Sequence, residues 1–222
     1  MDVQMTRGAF DKSLSELQQE LLTMGSMVEE AIHLAVESLT KQNPGLARQI
    51  IDGDDRIDNL TLKIEEDCIR LIALQQPLAL DLRVITTVLK TTTDLERIAD
   101  HAVNIAEITE RIGTEAFIKP LTDIPKMAAL AEEMIRNSLK AFVDRDVDFA
   151  KATCLQDDLV DRIYEEIFNE LTEFNLGEVN KAQIVQSMNL LFVARFLERV
   201  ADHATNIGER VIYLVTGQNE RY

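Results

Sequence analysis

The sequence predicts an all-α fold of two tandem, internally duplicated three-helix bundles, six long helices with pseudo-twofold symmetry. Three observations carry this. Gly and Pro are sparse, eight and four in 222 residues, and Trp is absent, so helix breakers are few. Apolar residues recur at three- and four-residue spacing over long stretches, the period of an amphipathic helix. The stretch LERIADHAVNIAE, Leu95 to Glu107, returns as LERVADHATNIGE, Leu197 to Glu209, with ten of thirteen positions identical.

The first helix carries Phe10, Leu14, Leu17, Leu21, Met24, Val28, Ala31 and Ala35 on one stripe and runs to about Thr40. Asn43-Pro44 follows, an N-cap with Pro at the first helical position. The second helix carries Ile50, Ile57, Ile64 and Leu71, and is expected to stop near Gln76 because Pro77 disfavours helix at the residue before it. The third runs from about Leu80 to Arg111, with Leu95, Ile98, Ala102, Ile105 and Ile112 marking its buried side.

Arg111 to Pro125 gathers Gly113, Pro120 and Pro125. It divides a first repeat, 1–112, from a second, 125–222, with a linker at 113–124. The fourth helix is expected from about Ile124 to Val143. The fifth runs from near Asp146 to Asn175, with Val160, Tyr164, Ile167, Leu171 and Phe174 inward. The sixth spans about Val179 to Val215 and buries Leu197, Val200, Ala204, Ile207, Val211 and Leu214, with Gly217 ending it. Further landmarks repeat in order. Glu29-Glu30-Ala31-Ile32 aligns with Glu132-Glu133-Met134-Ile135, and Asp54-Asp55-Arg56-Ile57-Asp58 with Asp157-Asp158-Leu159-Val160-Asp161. Helices of ~30 residues span ~45 Å and can share an apolar seam.

Acids outnumber bases 39 to 23, a net charge of −16. Such a field repels nucleic acid, and no polybasic run offers a membrane anchor. Cys68 and Cys154 are far apart and read as small buried side chains in a reduced, cytoplasmic setting. No secretory h-region and no apolar run of spanning length is visible, so direct membrane insertion is not expected.

The unusual feature is acid where periodicity asks for core. The stripe Ile50, Asp54, Ile57, Thr61, Ile64, Cys68, Leu71 contains Asp54, and the row Cys154, Asp157, Val160, Tyr164 contains Asp157. A carboxylate beside an apolar seam is costly unless paired, hydrogen-bonded or bound to metal. Each begins an acid-x-x-x-Asp pair, Asp54 with Asp58 and Asp157 with Asp161. The repeated motif adds Glu96 with Asp100 and Glu198 with Asp202. Residues four apart lie one turn above each other, so two carboxylates repel unless a multivalent cation bridges them. Hard oxygen ligands suit ferric iron, manganese, magnesium or calcium. The ordinary alternative is a solvated acid pair, with Arg97 and Arg199 as neutralising neighbours. Asn104 and Asn206, one turn further along, carry amides that could ligate or orient.

Two further function classes follow from the same residues. A carboxylate-bridged di-metal oxidase needs Glu-x-x-His on two helices. Glu30-x-x-His33 matches once, but its counterpart is Glu133-x-x-Arg136. His33 therefore reads as a surface residue, and His101 and His203 as local partners at the seam. A purely structural helical adaptor is the other alternative. No phosphate-cradling loop, GxSxG, HExxH or kinase set is present, so no catalytic residue is expected. The sequence shows no clustered Arg/Lys pocket, which argues against direct binding of free phosphate unless a metal supplies the positive charge.

The duplicated unit, with DLRVITTVLKTTTDLERIADHAVNIAE in one half, FLERVADHATNIGE in the other and QQPLALDLR before the third helix, resembles the PhoU family over essentially the whole chain. The resemblance implies metal clusters on the acid pairs Asp54/Asp58, Glu96/Asp100, Asp157/Asp161 and Glu198/Asp202. Iron is the first expectation, with manganese, magnesium or zinc as alternatives. It implies a non-enzymatic negative regulator of phosphate-starvation signalling, a homodimer linking the phosphate ABC transporter, through its ATPase subunit, to a sensor histidine kinase. One departure stands out. Asp94 precedes the first LER where Phe196 precedes the second, so the two sites need not bind metal equally.

Overall fold

The computed structural model describes residues 7–222. The chain forms α1 Arg7–Thr40, α2 Pro44–Gly53, α3 Asp55–Gln75, α4 Ala79–Ile112, α5 Asp123–Asp144, α6 Val147–Cys154, α7 Asp157–Asn175 and α8 Lys181–Thr216. These make the six expected rods, since α2 continues into α3 and α6 into α7. The second and fifth rods are each interrupted, at Asp54 and at Leu155-Gln156. Periodicity did not reveal the interruptions because the residues there keep right-handed helical dihedrals, Asp54 at φ −62° and ψ −37°. The apolar row therefore carries on across each break.

Rod ends follow local chemistry. Asn43 accepts from the Leu46 N–H with Pro44 at the first position, as the sequence predicts. Asp146 caps α6 through the Phe149 N–H, and Asn180 forms a capping box with Gln183 at the start of α8. Gln76 ends α3 in the left-handed region, and Gly113 and Gly217 end α4 and α8 at positive φ.

α1 packs on α4, α2 and α3 to make the first bundle, and α5, α6 and α7 pack on α8 to make the second. The halves join along α4 and α8, with a second contact between α1 and α5. Asp94 meets His203 and Arg210, and His101 meets Phe196 and His203. Moving up α4 thus means moving down α8, so the two longest helices run antiparallel about the pseudo-twofold axis. One continuous apolar core runs through both halves, from Phe10, Leu21 and Ile32 to Leu197, Val211 and Leu214. Both cysteines are buried and free, and burial pushes their thiols up to about 12.

Small residues set the closest approaches. A side-chain carbon on Gly208 of α8 would stand 2.6 Å from Cys154 Sγ and 3.4 Å from the Ala150 carbonyl of α6. Gly208 therefore lets α6 lie directly on α8, where the first repeat has Ala106.

Candidate functional site

The acid pairs come together half by half. α3 and α4 pack against each other in one bundle, and α7 and α8 in the other. Asp54 sits at the break before α3, half-buried. Burial first, then Asp58, Asp100 and Glu96, raises its pKa to about 6. Asp157 opens α7 in the equivalent place. Burial first, then Asp161, Asp202 and Glu198, raises it to about 7. Glu96 and Glu198 are likewise pushed up, by burial and then by Asp100 and Asp202 respectively. All eight sequence-predicted acids thus fall into two groups of four, each drawn from two helices of one half. Asp58 and Asp161 are the exposed members, and the others are half-buried.

Arginines partly offset this charge. Arg97 reaches Asp100 at 2.8 Å and Glu96 at 3.3 Å, and Arg199 reaches Asp202 at 3.5 Å. Arg195, where the first repeat has Thr93, pairs with Glu198. As these side chains stand, no three His, Cys, Asp or Glu among the described residues converge in the geometry of a metal site. The second group nevertheless carries an unmet demand. Asp157 Oδ1 and Glu198 Oε2 are shielded from water and have no hydrogen-bond donor. Arg199 Nε, at 3.9 Å from Glu198 Oε2, is beyond hydrogen-bond reach. Carboxylate oxygens removed from water without a partner are costly, and a hard cation satisfies them. In the second half these two oxygens therefore fit such an ion.

Sequence reasoning missed Glu65, which also raises Glu96. It lies two turns along from Asp58, outside any repeated motif. The amide of Asn104 donates to the Asp100 carbonyl at 2.8 Å, so it steadies α4 itself. The Asp94/Phe196 departure lies elsewhere, on the seam. Asp94 accepts from Arg210 at 2.7 Å and meets His203 Nδ1 at 3.1 Å, whereas Phe196 stacks on His101 with ring centroids 5.6 Å apart. Equivalent positions thus meet equivalent histidines by different chemistry. His101 is held well below the usual imidazole range, at about 4, by burial and then by His203. His33 stands on the surface between Glu37 and Glu132.

Together these features define a duplicated helical scaffold with one carboxylate-lined patch on each half. The family model described as "PhoU domain" matches the chain twice, over residues 21–109 and 124–211. The chain belongs to the PhoU family. It is 45% identical over 215 residues to the phosphate-specific transport system accessory protein PhoU homolog of Clostridium acetobutylicum, covering 96% of this chain and 97% of that one. The homolog of the same name from Aquifex aeolicus is 42% identical over 207 residues, 93% of each chain. The crystal structure of PhoU from Pseudomonas aeruginosa superposes with a TM-score of 0.89 at 34% identity, covering 94% of this chain and all of that one. Among the described residues no helix is long and apolar enough to cross a membrane.

Proposed function

We propose that the chain is a non-enzymatic, metal-binding regulator of phosphate uptake that restrains phosphate-starvation signalling from the cytoplasm. In this reading it links the ATPase subunit of the phosphate ABC transporter to a sensor histidine kinase, as a homodimer. The observation that carries the regulatory part is the near-full-length match to relatives named as accessory proteins of phosphate-specific transport. The metal part is supported by the two groups of facing carboxylates and by the partnerless oxygens of Asp157 and Glu198. Multivalent ions, iron first, would be held by Asp54, Asp58, Glu96 and Asp100 in one half and by Asp157, Asp161, Glu198 and Asp202 in the other. Their role is to cancel mutual repulsion and fix the two patches as docking surfaces. Deleting the gene tests the regulatory reading. Phosphate-starvation genes should be derepressed in high phosphate, and unchanged expression would contradict it.

A further inference from the structure

The segment after α8 turns back on the bundle. Gly217, at φ +75°, leads the chain out of the helix with the Arg83 guanidinium beside it. The Tyr222 N–H donates to Glu209 Oε1 at 2.8 Å, and Lys151 pairs with Glu220 at 2.7 Å. The returning segment helps enclose a cavity of about 580 Å³ between α4 and α8. Lys90 of α4, Asn206, Arg210 and Tyr213 of α8, and Arg221 of the segment face it.

The charges around this space do not cancel. Glu209 and Glu220 also line it: Glu220 is paired with Lys151 and Arg210 with Asp94, while Glu209 accepts from the Tyr222 N–H and keeps its negative charge. Lys90 and Arg221 have no carboxylate partner among the described residues. Lys90 and Arg221 against Glu209 leave a net positive charge facing the cavity, in a chain of net charge −16. Divergence of the repeats sharpens the point. The counterparts of Arg83, Thr86 and Lys90, 102 residues on, are Val185, Met188 and Phe192. Those three are exposed apolar side chains, so the positive lining is peculiar to one half.

We propose that this cavity binds a small phosphate-class oxyanion, either free phosphate or the phosphoryl group of a nucleotide. Lys90 supplies a point charge and Arg221 a two-pronged donor, the pair suited to tetrahedral oxyanions. The Asn206 amide and Tyr213 hydroxyl face the same space and add neutral donors. No cluster was visible in the sequence because residues 90, 210 and 221 meet only through antiparallel packing and the returning segment. The site does not depend on the acidic groups binding metal.

The test is calorimetric titration of the full chain in chelator-treated buffer, with inorganic phosphate in one arm and adenosine triphosphate in the other, at constant ionic strength. Saturable binding is expected, and Lys90→Gln and Arg221→Gln should each weaken it roughly tenfold or more. Both side chains are exposed, so circular dichroism should show an unchanged fold. Arg56→Gln removes an equally unpaired cation outside the cavity and should leave binding intact. Tighter binding of one anion names the source of the phosphoryl group. Saturable binding of neither anion, or binding no more sensitive to the cavity variants than to Arg56→Gln, overturns the proposal.

Discussion

Arg210 of α8 donates from Nε to Oδ2 of Asp94, buried in α4, at 2.7 Å across the seam between the two halves. His203 closes on the other carboxylate oxygen at 3.1 Å. The two repeats differ here, because Phe196 fills the equivalent place in the second half.

Removing the carboxylate leaves a guanidinium at the seam without its partner. Asp94→Ala should destabilise the chain by about 3 kcal/mol, the lower end of the cost of breaking a buried pair because Arg210 is partly exposed. Asp94→Phe, which copies the second repeat, should not restore stability, because Arg210 would remain unpaired. Urea unfolding reads this as a lower midpoint at an unchanged slope.

Much of this architecture was legible because a long helix writes its buried face at a fixed spacing. Period alone places Leu95, Ile98, Ala102 and Ile105 inward, and all four are buried. Asn43-Pro44 marked a rod start because capping is local chemistry. The interruptions at Asp54 and Leu155-Gln156 were not legible, since a missed backbone hydrogen bond leaves no trace in a pattern of side chains. The candidate acids were found by their repetition. Glu65 stands outside the repeat and emerged only when α3 and α4 packed together. Asp94 departs from the repeat in the sequence itself, but its partners lie 109 and 116 residues away, beyond any local motif.

Stability of the metal-free chain should depend on pH in a defined direction. Asp54 and Asp157 titrate at about 6 and about 7 when folded, against ~3.9 when unfolded. Between about pH 4 and 7 they bind more protons in the folded state, so their contribution falls as pH rises through that window. His101 opposes them. It titrates at about 4 when folded, so its contribution falls as pH drops from roughly 6.5 toward 4. The carboxylates therefore prevail above about pH 6.5. The Tm of chelator-treated protein should rise on acidification from about pH 7.5 to 6.5, and Asp157→Asn should flatten that rise.

The close approach of α6 to α8 yields a packing prediction. Gly208→Ala should cost about 1–3 kcal/mol, because the new carbon would stand 2.6 Å from Cys154 Sγ. Cys154→Ala in the same chain removes that sulfur. The double variant should be more stable than the sum of the single effects, and thermal unfolding of all four members of the cycle checks it.

The second acidic group should hold metal more tightly than the first, since its two partnerless oxygens gain the most from a cation. Asp157→Asn with Glu198→Gln should therefore remove the tighter class of ions in a calorimetric titration. Asp54→Asn with Glu96→Gln should remove the weaker class.

Equilibrium dialysis against ferric, manganous and magnesium ions, followed by elemental analysis, tests the metal-binding claim most directly. Wild type should retain at least one of these metals, and the Asp100→Asn/Asp202→Asn double variant should lose most of it. At a hundredfold excess over Kd, the retained ion should add ~2.7 kcal/mol to wild-type stability. Equal metal in the two proteins, or none in either, would contradict the account.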